Sequence, residues 1–299
     1  MKSIIKYFAS LLCKHNPELL VRIRYWFRFR KRLNLNNPQT LNEKILYLSL
    51  RTDTSEWTRL SDKYQVREYV HECGLDSILN RLYGVWNNTS EIDFNSLPDR
   101  FILKTNHGSG DSIIVQDKNS MNLDLIIKKL DRSLSETYGL AEGSLHYSRI
   151  VPKIIAEELL ENDSESSRYS TSLIDYKIWC FNGKAHYIWT CTDRTKKGTK
   201  VMTYDSAWNA HPEYSVYLPH YMEDDVIPKP RNLKQMLEIA EKLAAPFPVV
   251  RVDLYNIAGR IVFGEMTFTS LGGLMNFYTE AFLKMTGDMI KLPVKPVNN

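Results

Sequence analysis

The most constraining feature of this chain is the segment FILKTNHGSGDSIIV, residues 101–115. An apolar run ends at Lys104, a polar loop containing Gly108 and Gly110 follows, and a second β-branched run closes the segment. Two such runs around a glycine loop predict a β-hairpin. Glycines let backbone N–H groups point into one concavity beside the lysine, so the tip is suited to binding an anion. An ordinary turn remains the alternative, because no Gly-Lys-Ser/Thr follows.

Two segments further along the chain also predict strands. Residues 153–160, KIIAEELL, form an apolar run that contains Glu157 and Glu158 near its end. Residues 175–189 contain an Asn-Gly turn between two β-rich runs, with Lys177 inside the first. Asn-Gly between such runs is a strong hairpin signal. The alternative interpretations are a solvated strand end for the glutamates and an exposed edge lysine.

Residues 249–268, VVRVDLYNIAGRIVFGEMTF, predict a further hairpin. Arg251 and Asp253 lie two apart on its first strand, and Glu265 and Thr267 lie two apart on its second. Residues two apart on a strand point to the same face, so pairing would gather two carboxylates, a cation and a hydroxyl. Carboxylates together with phosphate oxygens are ligands that Mg²⁺ prefers. A purely structural Arg251–Asp253 pair is the alternative, since buried charges are rarely left alone.

The order of these segments resembles the ATP-grasp superfamily, and within it the TupA-like branch associated with teichuronopeptide and capsular polysaccharide synthesis. The resemblance extends from about residue 40 to residue 285. The segments that carry it are 41–50, 60–70, 82–110, 155–160, 175–184 and 251–273. It implies an α+β protein with the ATP-grasp fold, in which ATP lies between two α+β lobes, preceded by a helical basic N-terminal segment.

The resemblance also implies which residues surround ATP. Two lysines would contact the phosphates, the glycine loop would cover them, and the two glutamates would form a hinge beside adenine and ribose. Lys177 is similar to the phosphate-side cation of the second lobe. His107 is either a further phosphate contact or a structural loop residue. The residues placed around ATP in this way are Lys63, Lys104, His107, Gly108, Ser109, Gly110, Glu157, Glu158 and Lys177.

A metal site and catalytic residues follow from the same resemblance. Asp253 and Glu265 look like Mg²⁺ ligands, and Thr267 stands where many ATP-grasp enzymes have asparagine. Arg251 is similar to the arginine that holds the acyl-phosphate or its tetrahedral successor, and Lys177 is expected to act with it. The cofactors implied are therefore ATP and Mg²⁺.

The activity implied is ATP-dependent carboxylate–amine ligation. An acyl-phosphate would form on a uronic acid of a surface polysaccharide or its precursor, and an amine, an amino acid being one candidate, would displace phosphate. The partners implied are ATP, a uronic-acid-containing glycan and an amine. A polysaccharide-pathway kinase or glycosyltransferase using the same site is the alternative. A degenerate nucleotide-binding module is disfavoured, because the charged residues of the motifs are intact.

Other classes of protein are excluded by what the sequence lacks. The four cysteines form no C-x-x-C motif, and there is neither a Gly-x-Ser-x-Gly elbow nor a His-Glu-x-x-His motif. No run of 18 apolar residues predicts a transmembrane helix. A cytoplasmic location is expected. The predicted divisions are a basic helical arm at 1–40, a region before the ATP site at 41–98, a first lobe at 99–160 and a second lobe at 161–299.

The N-terminal arm carries the whole basic excess. Residues 1–32 hold nine lysines and arginines against one glutamate, a net charge of +8, whereas the full chain has +4. The stretch VRIRYWFRFRKRL mixes arginines with aromatic residues, a pattern that suits an anionic membrane surface at the inner face. A helix packed on the main domain is an equally weighted alternative. Nucleic acid ranks third, because the rest of the chain is mildly acidic.

Overall fold

The computed structural model describes residues 2–293, in which N-terminal helices precede two β-sheets. The helices are α1 (Lys2–His15), α2 (Pro17–Phe29), α3 (Leu41–Arg51), α4 (Ser55–Ser61), α5 (Val66–Glu72), α6 (Leu123–Ser135), α7 (Leu145–Ser148), α8 (Leu233–Ala244) and α9 (Glu280–Met289). Within residues 2–293, no helix combines the length and apolar character needed to cross a membrane. The predicted α+β class and helical N-terminal segment are confirmed.

The smaller sheet holds the glycine loop. Its strands are β1 (Leu82–Trp86), β2 (Phe101–Thr105), β3 (Ile113–Val115) and β4 (Ile154–Glu157), in the antiparallel order β1-β4-β2-β3. The pairing of β2 with β3 confirms the hairpin predicted at 101–115. Phe101 and Leu103 point to the covered face and pack with Ile126 and Leu130 of α6. Because β1 precedes residue 98, the sheet draws on chain from both sides of that predicted boundary, and the domain divisions remain predictions.

The larger sheet has the order β10-β9-β5-β6-β7-β8. Its strands are β5 (Asp175–Phe181), β6 (Lys184–Thr192), β7 (Thr199–Asp205), β8 (Tyr221–Glu223), β9 (Val249–Ile257) and β10 (Arg260–Thr267). Both predicted hairpins are confirmed, since β5 pairs with β6 and β9 pairs with β10. Each turn places two residues at positive φ, Asn182 and Gly183 in one and Ala258 and Gly259 in the other. This is the conformation that two-residue hairpin loops require.

The two faces of the larger sheet differ in polarity. Val250, Val252 and Leu254 of β9 are fully buried in the main hydrophobic core, to which α8 also contributes. Arg251 and Asp253 alternate with them and therefore point to the opposite face. The burial of one face against α8 fixes the register of the strands, because a slip by one residue would place charges in the core. The charged face is thus held in a defined arrangement.

The basic arm folds as α1 and α2. Asn16 caps α2 by accepting a hydrogen bond from the backbone N–H of Leu19, and Pro17 begins the helix. Val21 and Tyr25 of α2 are buried against Leu46 and other residues of the main domain. The arm is therefore packed on the protein along one side.

Candidate active site

The glycine loop is fixed by buried polar residues at its base. Asn106 is fully buried, and its side-chain amide donates to Oδ2 of Asp62 at 2.9 Å. Asp111 accepts a hydrogen bond from the backbone N–H of Thr105 at 2.9 Å and so closes the loop. A Cβ on Gly108 would lie 2.8 Å from Oγ1 of Thr105. Glycine is therefore required at this position by close approach of the loop to its own base.

Lys63 is held against this loop. Its ammonium donates to the carbonyl of Gly108, and its backbone N–H donates to the carbonyl of Asn106 at 3.1 Å. Burial lowers the pKa of Lys63, and the carboxylate of Glu265 offsets this only in part. A buried ammonium bound to neutral carbonyls is an electrostatically poor arrangement until an anion arrives. Lys63 is thus poised for a negatively charged ligand.

The remaining loop residues divide into two groups. Ser109 lines the larger of the two cavities described below, and Gly110 is exposed with φ of 76°. His107 is buried instead, with Nε2 3.0 Å from the carbonyl oxygen of Glu136, and it lines neither cavity. The structural alternative for His107 therefore fits its environment better than phosphate contact does.

A cavity of about 160 Å³ lies between the two sheets, at the segment that follows β4. We call it the hinge cavity. Its walls combine apolar side chains with charged groups at one end, the arrangement found in sites for small cofactors. Its main lining residues are Ile102, Lys104, Glu157, Glu158, Leu159, Leu160, Leu173, Tyr255 and Phe263, and Lys63 reaches it as well. The predicted hinge glutamates and Lys104 thus meet in one place.

The two hinge glutamates have different surroundings. Glu157 is buried and pairs with Nζ of Lys104 at 2.5 Å and with Nη1 of Arg67 at 3.4 Å. Glu158 is more exposed and accepts two hydrogen bonds from the guanidinium of Arg260, at 3.1 and 3.0 Å. This contact lowers the pKa of Glu158. Glu157 is therefore a buried ion-pair partner, whereas Glu158 is an interlobe surface contact.

A row of charged residues crosses three strands of the larger sheet. Lys177 of β5 lies opposite Asp253 of β9, and Asp253 lies opposite Glu265 of β10. A β-bulge between Phe263 and Glu265 adds Gly264 to β10 without a partner on β9. Bulges of this kind re-aim the side chains beside them. Here the bulge sets the register that places Glu265 across from Asp253.

Arg251 connects the members of this row. Its Nε donates to Oδ1 of Asp253 at 2.7 Å, and its Nη2 donates to Oδ2 at 2.8 Å. The same Nη2 lies 3.3 Å from Oε1 of Glu265 and 3.1 Å from Oγ1 of Thr267. Lys177 donates to Oδ2 of Asp253 from the other side. The two predicted carboxylates therefore flank a single guanidinium nitrogen.

The network is balanced by charges on both sides. Burial alone would lower the pKa of Lys177, but Asp175 and Asp253 outweigh it and raise the pKa above its ordinary value. Burial would likewise raise the pKa of Asp253, yet Arg251 and Lys177 hold it below its usual range. Both groups are thus ionised at neutral pH. Burial costs each charge heavily, so the set is stable only as a unit.

The donor chemistry at this row fits a magnesium ion. Asp253 and Glu265 supply carboxylate oxygens, and Thr267 supplies a hydroxyl at the same point of the sheet. Asp253 binds Arg251 and Lys177 through both oxygens, so its cations would have to turn toward phosphates when a metal ion binds. Among residues 2–293, no group of three or more His, Cys, Asp or Glu side chains has metal-binding geometry by itself. A ligand would have to supply further oxygens.

A larger cavity of about 440 Å³ adjoins the charged row, and we call it the basic cavity. It is lined by the glycine loop on one side and by the charged face of the larger sheet on the other. Its functional lining residues are Arg24, Arg28, Lys63, Ser109, Tyr138, Tyr147, Lys177, Trp189, Arg194, Arg251, Glu265 and Thr267. Lys63 lines both cavities, so they meet at the ammonium group beneath the glycine loop.

Comparison with known proteins gives the family. The model of the TupA-like ATP-grasp family matches residues 43–291. The chain belongs to the TupA-like ATP-grasp family. A search of curated proteins found no match.

Solved structures that resemble this ATP-grasp protein include two D-alanine–D-alanine ligases. The one from Bacillus anthracis has a TM-score of 0.48 and 13% identity and covers 80% of this chain, which spans 65% of that ligase. The one from Helicobacter pylori has a TM-score of 0.46 and 16% identity, with coverages of 87% and 69%. An L-amino acid ligase from Bacillus licheniformis has a TM-score of 0.48 and 11% identity, with coverages of 93% and 64%.

Several residues of this ATP-grasp site did not emerge from the sequence. Asp175 lies 3.5 Å from Nζ of Lys177 and also pairs with Arg194, so it completes the charge balance. Its position two residues before Lys177 on a predicted strand was a usable signal. Arg24 and Arg67 come from distant helices, and no local pattern connects them with the site. Arg194 begins the basic run RTKKGTK at residues 194–200, whose composition by itself does not connect it with Asp175.

Proposed function

We propose that this protein is an ATP-dependent carboxylate–amine ligase. Membership of the TupA-like ATP-grasp family supports this class of reaction. The observation that carries the proposal is the meeting of cationic groups from both lobes around two connected cavities. Lys63 and Lys104 approach from the side of the smaller sheet, and Lys177 and Arg251 from the larger sheet. A polyphosphate between the sheets would be bound from both sides.

ATP is proposed to occupy the hinge cavity and extend toward Lys63. Adenine would lie against the apolar side chains of Ile102, Leu160 and Phe263, and backbone groups of the segment after β4 would face its edge. The phosphates would lie beneath the glycine loop, where Gly108 and Ser109 line the basic cavity. The lowered pKa of Lys63 fits this role, because an incoming phosphate would compensate its buried charge.

Magnesium would be held by Asp253 and Glu265, with Thr267 as a neighbouring hydroxyl ligand. When bound, the ion would neutralise part of the negative charge of the phosphates. Lys177 and Arg251 would then turn from Asp253 toward the phosphates.

The reaction requires positioning more than a covalent nucleophile. An oxygen of the acceptor carboxylate attacks the γ-phosphorus of ATP, the bond to the bridging oxygen breaks, and ADP leaves. The amine nitrogen then attacks the carbon of the acyl-phosphate, phosphate leaves with the bonding electrons, and the nitrogen loses a proton. Arg251 and Lys177 are the cations placed to stabilise the negative charge that develops in both steps. The buried fork of Arg251 suits oxygens of a phosphate or tetrahedral centre.

The acceptor is proposed to be a uronic acid of a surface polysaccharide or its precursor, and the amine to be an amino acid or another primary amine. The basic cavity supports an anionic acceptor, because Arg24, Arg28 and Arg194 line its wall beyond the charged row. The location proposed for the protein is the cytoplasm, at the inner face of the membrane.

A product assay tests the proposed reaction. The protein is incubated with ATP, Mg²⁺, glucuronic or galacturonic acid and a mixture of amino acids, and products are identified by mass spectrometry. Stoichiometric ADP, phosphate and an amide support the ligase. ADP with a phosphosugar would assign a kinase, and transfer of a glycosyl unit would assign a glycosyltransferase, each overturning the proposal. Glu265→Gln serves as the negative control, because it is expected to lose magnesium-dependent turnover while remaining folded, so ADP that persists in that variant comes from a contaminant.

A further inference from the structure

Helix α2 presents an apolar stripe to solvent. Leu19, Ile23, Trp26 and Phe27 repeat at helical spacing and fall on one side of the helix. All are exposed, with Trp26 at 47% and Phe27 at 63% of their full surface. Isolated exposed apolar residues are common, but a continuous stripe that contains two aromatic residues marks an interaction surface. The helix is packed on the main domain through Val21 and Tyr25, but Trp26 and Phe27 take no part in that packing.

Helix α1 carries a second exposed apolar stripe. Ile4, Tyr7 and Phe8 are spaced three and four residues apart, and each is more than half exposed. The two helices pack against one another through their buried sides. The arm therefore holds a concentration of exposed large apolar side chains that none of the other helices approaches within residues 2–293.

A cation lies directly on this apolar surface. The guanidinium of Arg30 lies over the ring of Trp26, 5.0 Å from its centroid, and 5.8 Å from the centroid of Phe27. Lys14 and Arg32 are exposed as well. With a net charge of +8, the arm of one molecule would repel the arm of another, which disfavours pairing between two arms. Apolar rings beside cations match the interface of an anionic lipid bilayer.

The other side of α2 forms part of the active-site wall. Arg24 and Arg28 line the basic cavity, and they also line a shallow groove that continues to Phe27 and Leu274. Arg24 is anchored there by a 2.7 Å hydrogen bond to the carbonyl of Ala141. One helix thus separates the active site from the exposed apolar stripe, and the groove connects the two.

We infer that α1 and α2 dock the protein on an anionic lipid bilayer and direct the mouth of the basic cavity toward its surface. The docking surface is the pair of apolar stripes with the cations around them. The groove past Arg24 and Arg28 then gives an acceptor held at the bilayer a route to the charged row; this last step rests on the proposed function, whereas docking does not.

Vesicle sedimentation tests the docking. The full-length protein is mixed with vesicles of phosphatidylglycerol and phosphatidylcholine, and with vesicles of phosphatidylcholine alone, at low and high salt. Binding to the anionic vesicles that weakens with salt is expected. Ile23→Ser combined with Trp26→Ser should weaken it about ten-fold or more, because two anchors no longer enter the interface. Leu123→Ser combined with Leu125→Ser, on the exposed side of α6, is the matched control and should bind as the wild type does.

The outcomes separate this inference from the proposed function. No binding to anionic vesicles, or equal binding by both double variants, would overturn docking. If the wild type is a dimer that does not bind vesicles, and the Ile23/Trp26 variant is a monomer, the stripe would be assigned to contact with a second copy of the chain. If a single-stranded oligonucleotide displaces the protein from vesicles when its total negative charge equals that of the anionic lipid, the arm would be assigned to nucleic acid. ATP affinity, measured by calorimetry on the same samples, reports on the nucleotide site alone and should be unchanged in the Ile23/Trp26 variant.

Discussion

The two sheets each contain a buried lysine–carboxylate pair, and the pairs differ in what surrounds them. Lys104 and Glu157 lie on neighbouring strands of the smaller sheet, and among residues 2–293 Arg67 is the only further ion-pair partner of Glu157. Lys177 and Asp253 lie directly opposite one another on the larger sheet. Arg251, Asp175 and Glu265 extend that second pair into a network.

Solvent access follows the same division. The side chain of Lys104 keeps 19% of its surface exposed, whereas Lys177 and Asp253 keep 10% and 2%. Water and small movements can compensate a lost charge at the hinge, but not within the larger sheet. The charge of Lys104 is stabilised by Glu157 and by partial access to water. The charge of Lys177 is stabilised by Asp253, which is itself proposed to act in the reaction. Structure and function are therefore harder to separate in the larger sheet.

The largest effect is expected for Asp253→Asn. The change is nearly isosteric, but it removes the charge that pairs with the two buried cations Arg251 and Lys177. The free energy of unfolding should therefore fall by about 3–5 kcal/mol, and turnover should be lost. Glu157→Gln should cost less than half as much stability, because Lys104 and Arg67 retain access to water. Urea denaturation of both variants measures the difference. Equal losses in the two variants would remove the distinction between the sheets.

Glu265→Gln supplies the control for that experiment. Its side chain is 45% exposed, so the variant should lose magnesium-dependent turnover with less than about 1 kcal/mol of stability. If it unfolds as readily as Asp253→Asn, the stability argument for the buried row is wrong.

The next effect concerns ATP affinity. Lys104→Met and Lys177→Met should each weaken ATP binding by about 10- to 150-fold, since a charge-assisted hydrogen bond contributes about 1.5–3 kcal/mol. Isothermal titration calorimetry with ATP and Mg²⁺ measures both. Lys184 is an exposed lysine of the larger sheet that pairs with Glu241. The variant Lys184→Met is the control and should bind ATP as the wild type does. Unchanged affinity in both site variants would remove the ATP site from between the sheets.

A smaller effect is expected from Lys63, and it depends on pH. The folded-state pKa of Lys63 is lowered by burial, so between that value and the ordinary lysine pKa the unfolded chain binds more protons. The wild type should therefore gain stability relative to Lys63→Met as pH rises toward the ordinary lysine pKa, in the absence of ATP. Lys234→Met, a 93% exposed lysine on α8, should show a constant difference. A constant difference for Lys63→Met would show that its ammonium is not strained in the free protein.

The smallest effect is expected at the outer edge of the hinge. Glu158→Gln removes a partly exposed ion pair with Arg260, which contributes less than about 1 kcal/mol. The lowered pKa of Glu158 means that any contribution is lost as pH falls through the folded-state value. Thermal melts of wild type and variant, measured at a series of pH values from 7 down to about 2, should therefore converge at the acidic end. A difference that persists at the lowest pH would contradict this assignment.

Local patterns in the sequence were sufficient for the hairpins and for the family. The turns at Asn182-Gly183 and Ala258-Gly259 are encoded within a few residues, because positive φ is accessible to few residue types. Alternation along VVRVDLY already separated the core-facing valines from Arg251 and Asp253. The order of the glycine loop, the hinge glutamates and Lys177 along the chain could also be recognised from the sequence.

Only the tertiary structure decided how these pieces meet. The bulge at Gly264 sets the register that brings Glu265 to Asp253, and a bulge cannot be read from alternation alone. The contacts of Lys63 with Gly108, of Arg67 with Glu157 and of Arg24 with the basic cavity join residues far apart in the chain. Such pairings depend on how helices pack on sheets, and packing is set by the whole core rather than by the residues that meet.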